Sequence, residues 1–250
     1  MLTFYPEKTK VIFLDLEYYV PKEDRTRSSH SGMSFSPVLP GHRIIGGTFQ
    51  TYYPMQDRAT KRVGFWEWSL GSEENVLKGI FDYLKDEWRT SRGQAGSLML
   101  AGIGISHSDV PALLARMTAH DLAPADEIYD GLCGCRQIDL SVATFCQFSF
   151  NQGYFASPKT KSQLYQKYIP ARKLGSGKGV WDLYDAKEFL DIEQRCEQEV
   201  EDAMNIYKAM FDLRKQHGRD LERLKKLDKQ AASVPQLSNG GELVQTVAPR

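Results

Sequence analysis

Net charge, cysteine and long apolar runs are all scarce in this 250-residue chain. Its 32 Lys and Arg are balanced by 32 Asp and Glu, so the formal net charge is zero. Neutrality excludes a chain that holds a polyanion by overall charge, because neutralising phosphates requires an excess of Lys and Arg; any polyanion site must be local. The four cysteines, Cys133, Cys135, Cys146 and Cys196, lack the paired short spacings of a zinc ribbon, and they are read as reduced, buried thiols. No apolar run approaches the roughly 20 residues of a membrane span. The N-terminus reaches Glu7-Lys8 without a basic-then-apolar leader. The expectation is a soluble cytoplasmic protein with no membrane partner.

What is present is enough apolar material for one α/β domain: 41% of residues are hydrophobic and 11% aromatic. Val11-Ile12-Phe13-Leu14-Asp15-Leu16-Glu17 reads as a buried strand ending in two carboxylates on one face. Residues 22–42 form a polar loop carrying Arg25, Arg27 and His30, and a second strand follows at 43–49. Ser72, then Glu73-Glu74 and apolar residues at helical spacing, predicts a helix with one buried face. Residues 97–105 predict another buried strand, and Asp109 opens a helix with Pro111 in its first turn. A strand or strand–helix edge is expected at 136–145, a short helix at 160–168, and a long amphipathic helix at 185–213. From Gly218 the pattern degrades into a charged run and then a Ser, Pro, Gly and Asn-rich tail. The chain therefore divides into a domain of residues 1–217 and a charged helix with a flexible tail at 218–250.

Hydrolysis of a phosphodiester by two hard cations needs carboxylates converging from separate elements. The candidates are Asp15 and Glu17 from a strand end, Asp109 from a strand-to-helix junction, and Glu197, Glu199 and Asp202 from the late helix. Residues 157–180 carry Lys159, Lys161, Lys167, Arg172, Lys173 and Lys178 with no acid among them, interleaved with Tyr165 and Tyr168. Such a stretch suits phosphates and unpaired bases, and these six residues are the candidate substrate contacts.

Three of these segments resemble the motifs of the DEDD superfamily of 3′-to-5′ exonucleases, most closely its DNA-polymerase-B-like branch. The strand closing in Asp15-Leu16-Glu17 looks like the first motif. Leu100-Ala101-Gly102-Ile103-Gly104-Ile105-Ser106-His107-Ser108-Asp109-Val110-Pro111-Ala112-Leu113 resembles the second, with Arg116 also in the family's place. Ser176-Gly177-Lys178, followed by Ile192-Glu193-Gln194-Arg195-Cys196-Glu197-Gln198-Glu199-Val200, resembles the third. The resemblance spans about residues 10–212. It implies an α/β fold with a ribonuclease H-like mixed sheet flanked by helices, a single domain with a polar C-terminal tail. It also implies two Mg²⁺ or Mn²⁺ ions held by Asp15, Glu17, Asp109 and Glu199, and cleavage at 3′ ends of nucleic acid, single-stranded DNA before RNA. Stand-alone relatives of this kind look like DNA repair enzymes or antiviral defence nucleases.

The third motif departs from the family's pattern. Where the family has a Tyr four residues before a final Asp, this chain has Arg195 and Glu199. Glu keeps the charge and the oxygens, with Asp202 as the rival ligand one turn on. Arg195 accepts no proton, which leaves water activation to the cations or to His107. An ion pair of Arg195 with Glu199 would compete with a cation. The alternative reading is thus a catalytically impaired relative that binds nucleic acid or a protein partner. Asp139 also resembles a recurrent Asp-Leu of the branch and is read as structural.

Overall fold

The structure, a computed structural model, describes residues 8–26, 34–93, 98–148, 158–172 and 179–232. Strand β1 (Lys10–Tyr19) is the centre of a six-stranded sheet. Beside it run β2 (Arg43–Tyr53), antiparallel, with β3 (Arg58–Ala59) and β4 (Val63–Trp66) both paired to β2. Short helix α1 (Glu67–Leu70) and helix α2 (Glu73–Gly93) follow. On the other side of β1 lies β5 (Leu98–Gly102), parallel to it; after α3 (Asp109–Ala119) and α4 (Ala125–Cys133) comes β6 (Arg136–Asp139), parallel to β5. The strand order is β3-β2-β1-β5-β6. The chain closes with α5 (Leu140–Ala143), α6 (Lys161–Tyr168), α7 (Gly179–Ala186) and α8 (Phe189–Ala232).

The two-residue period of a strand explains how β1 serves both layers. Ile12, Leu14 and Leu16 face one cluster with Val76, Leu77 and Ile80 of α2, Leu113 of α3 and Ile128 of α4. Phe13, Asp15 and Glu17 therefore point the other way, and the Phe13 ring packs edge-on against Tyr207 of α8, 5.4 Å between centroids. Because both faces are covered, β1 is apolar almost throughout until it reaches the acids.

The pairing of β1 with β2 slips between Glu17 and Tyr18, leaving Ile45 as the extra residue beside the strand's acidic end. Such a bulge bends the strand and re-aims the side chains next to it. Gly47 sits opposite Leu16 so closely that a Cβ there would lie 2.5 Å from the Leu16 side chain and 2.8 Å from the Asp15 carbonyl oxygen. A larger residue would push β2 off the segment that carries both acids.

Several elements differ from their expected bounds. The strand expected at 43–49 runs to Tyr53. The long helix starts at Phe189, because Lys187 takes a left-handed φ of +60° that separates it from α7. At its far end it continues through Gly218 to Ala232, since the cost of one helical Gly is outweighed by the Leu, Arg, Lys and Glu around it. The described contacts divide the chain into two compact units, Met1–Tyr207 and Lys208–Arg250. No helix among the described residues is long and apolar enough to cross a membrane.

Candidate functional site

Asp15 and Glu17, two apart on β1, share the face turned toward α8. The stripe of α8 that meets the sheet carries Ile192, Cys196, Val200 and Ala203, all buried, and Glu199 falls on the same stripe three residues after Cys196. The Cys196 thiol donates to the Asp15 carbonyl oxygen at 3.3 Å and approaches its carboxylate at 3.5 Å. Ligand atoms of Asp15, Glu17 and Cys196 lie within 4.8 Å of one another.

Among the described residues, two cations stand against these acids. The Lys161 ammonium, from the first turn of α6, donates to Glu199 Oε2 and is 3.9 Å from Asp15 Oδ1. Arg195 donates to Glu199 Oε1 at 3.2 Å, one helical turn away, and its Nε is 3.6 Å from Glu17 Oε1. That Glu17 oxygen is buried and accepts no hydrogen bond among the described residues. The fourth acid, Asp109, is buried at the start of α3, where it accepts the Leu16 N–H at 3.0 Å and the Ser108 hydroxyl. It thereby fastens α3 to β1 between the two strand acids.

The electrostatics follow from burial and crowding. Burial, then the Glu199 charge, pushes the Asp15 carboxyl well above its ordinary range, with Lys161 opposing. The same two causes push Glu17 up to about 8 against the pull of Arg195 and Lys161. Asp109 is raised by burial, partly offset by its hydrogen bonds from Ser108 and Leu16. Burial also acts on Glu199, but Lys161 and then Arg195 outweigh it and hold this carboxyl low. Fully ionised, four carboxylates would face two side-chain cations and lack two positive charges. A divalent cation fits this deficit, and hard cations take oxygen rather than the thiol of Cys196, whose proton burial retains. Asp15 and Glu17 supply the oxygens grouped to hold it, while both oxygens of Glu199 face the side-chain cations Lys161 and Arg195.

Asp202, the rival of Glu199, is buried and occupied elsewhere. It accepts from the Tyr165 hydroxyl at 2.9 Å, Arg172 Nε at 3.1 Å and the Gln198 amide at 3.1 Å, which ties α6 to α8. His107 is exposed, its Nδ1 2.9 Å from Ser106 Oγ and 3.5 Å from Asp139. Asp139 accepts the N–H groups of Gly104 (2.9 Å), Ser106 (3.1 Å) and Ser141 (2.9 Å), and these bonds with the serine hydroxyls hold it below the ordinary carboxylate range. It shapes the loop leading from β5 to Asp109, whose turn uses Gly104 at a left-handed φ of +79°.

Of the basic stretch, Lys161 and Arg172 are engaged with acids, while Lys159 and Lys167 lie over the Phe148 ring at 5.3 and 5.0 Å. Lys173, Lys178, Arg27 and His30 lie outside the described residues. Arg25 pairs with Asp182 and Asp185 of α7 rather than reaching the acids. The sequence marked Lys161 as basic without indicating that it meets Asp15 and Glu199, and it contained no signal for the contact of Cys196 with Asp15. Both contacts join residues far apart in the chain.

No protein-family model matches this chain, and no curated protein matches it. Among solved structures it is similar to the family B DNA polymerase from the hyperthermophilic archaeon Pyrobaculum calidifontis, at 14% identity and a TM-score of 0.51. The match covers 81% of this chain and 24% of that one, so the chain spans about a quarter of the polymerase's length. At this identity the likeness is one of fold: a ribonuclease H-like mixed sheet flanked by helices.

Proposed function

We propose that this chain is a metal-dependent 3′-to-5′ exonuclease that hydrolyses phosphodiester bonds of single-stranded nucleic acid, DNA before RNA. The observation that carries the reading is the convergence of Asp15, Glu17, Asp109 and Glu199 in a site that, among the described residues, is short of positive charge and has a buried Glu17 oxygen accepting no hydrogen bond. The fold likeness to a DNA polymerase chain and the motif resemblance point the same way.

In this reading Asp15, Glu17 and Glu199 would hold two Mg²⁺ or Mn²⁺ ions, the charge beyond the site's own deficit being met by the substrate phosphate, and Asp109 fixes the backbone between the strand acids. Two divalent cations, when bound, would supply an activated water and stabilise the leaving oxygen. Arg195 stays protonated and so acts as a charge partner of Glu17 and Glu199, not as a base. Lys161 keeps Asp15 and Glu199 from repelling one another. Lys159 and Lys167 beside Phe148 would take phosphates and a stacked base of the incoming strand.

A second reading has a specific observation behind it: both oxygens of Glu199 are engaged by Lys161 and Arg195. If those pairs hold against a cation, the chain binds nucleic acid without cutting it. Digestion of a 5′-labelled single strand, as DNA and as RNA, with Mn²⁺ or with EDTA, separates the two. The exonuclease gives a ladder shortening from the 3′ end that needs Mn²⁺ and disappears in Asp15→Asn. An uncut strand that is nevertheless bound sinks the first reading and supports the second.

A further inference from the structure

The segment of α8 that belongs to the unit Lys208–Arg250 has its own pattern. Leu213, Leu221, Leu224 and Leu227 are 47%, 45%, 55% and 51% exposed. At about 100° per residue these four fall within an arc of roughly 120° on one side of the helix. Four half-exposed leucines in a row form the kind of apolar stripe that marks an interaction surface, and helices in proteins draw most of their stability from packing such a face.

Along the stripe, Leu213, His217, Asp220, Leu224 and Leu227 follow in steps of four, three, four and three, the spacing of a two-stranded seam. The order is self-complementary about the midpoint between His217 and Asp220. Running a second helix in the opposite direction about that point sets Leu213 against Leu224 and His217 against Asp220, each pair occurring twice. A parallel, in-register pair would instead set Asp220 against Asp220, with like charges facing.

We propose that this face is an antiparallel docking surface for a second copy of the chain, sealed by Leu213 and Leu224 and registered by His217 with Asp220. Leu221 and Leu227 widen the seam. The two polar positions lower the strength of the contact but fix its direction, as buried polar residues do in coiled coils. A nucleic acid would leave the leucines uncovered, so charge on the rest of the helix does not account for them.

The 250-residue chain at roughly 100 µM, measured by sedimentation equilibrium, is expected to weigh twice the 28.4 kDa of one copy. Leu224→Glu should return it to a monomer with its helical circular dichroism intact. His217→Glu should weaken the dimer on the order of tenfold, since it sets like charges face to face, and Asp220→Lys should weaken it by removing the carboxylate that pairs with His217. Mixed in equal amounts, the two variants should pair again, because antiparallel helices then bring the glutamate introduced in one against the lysine introduced in the other. A wild-type monomer, or a dimer indifferent to Leu224→Glu, overturns the surface. A mixture that recovers nothing overturns the antiparallel pairing.

Discussion

Removing the Lys161 ammonium leaves Asp15 and Glu199 in a half-closed site without the positive group that lies between them. Breaking a buried ion pair by deleting one partner is costly because the remaining charge stays desolvated. Lys161 is 28% exposed, so water recovers part of that cost and about 2 kcal/mol is left. Without divalent cations, Lys161→Met should therefore melt roughly 6 °C below wild type. Millimolar Mn²⁺ should close most of that gap by replacing the lost charge. Equal melting temperatures in EDTA would remove Lys161 from this role.

Glu17 gives the same site a pH signature. Its carboxyl is raised from 4.5 to about 8, so between these values the folded chain holds a proton that the unfolded chain has already released. Stability then falls as pH rises through this window. Asp15 and Asp109, also raised, act in the same direction, while Glu199, held low, contributes stability above its unfolded value. Melting curves in EDTA should slope downward from about pH 5 to about pH 8. With Mn²⁺ the slope should flatten, because a bound cation stabilises the ionised carboxylates. A cation-free protein that grows more stable across that range contradicts the burial described for Glu17.

Helices α6 and α8 are joined at Asp202, and this separates two acids that the sequence left as alternatives. Asp202→Ala strands the Tyr165 hydroxyl, which is in a residue only 4% exposed, and should cost about 2 kcal/mol. The exposed guanidinium of Arg172 adds little to that. Glu199→Gln preserves shape and should leave the melting temperature within a few degrees of wild type while lowering cleavage at least about 100-fold. Nuclease assays and thermal melts on both variants check the division of roles; a stable, inactive Asp202→Ala would reverse it.

Strand β1 was legible because both its faces are buried, so an unbroken apolar run ends abruptly at Asp15 and Glu17. Helix α4 was not anticipated, since its nine residues bury only Ile128 and Leu132 and its start rests on Asp126 and Glu127 after Pro124. The partners of Glu199 were half legible. Arg195 is one helical turn away and was expected, whereas Lys161 reaches it across 38 residues of sequence, beyond any local pattern.

The whole molecule carries no net charge, so it gains little from long-range attraction of a polyanion, and the proposed strand binding would rest on a few local contacts. Lys161 and Arg172 are already drawn to Glu199 and Asp202, which leaves Lys159 and Lys167 as the described lysines of that stretch set beside aromatic rings. Each phosphate neutralised on a single strand steepens the dependence of log affinity on log salt by about 0.7. The double variant Lys159→Ala, Lys167→Ala should therefore bind more weakly and lose about 1.4 from that slope between about 50 and 200 mM salt. Phe148→Ala should act differently: it removes a stacking partner, lowering affinity by about 1–3 kcal/mol at every salt concentration while leaving the slope unchanged. Fluorescence anisotropy with a labelled single strand in EDTA measures both quantities without cleavage. If the slope of the double variant matches wild type, the strand does not run over α6, and the phosphate contacts lie elsewhere on the chain.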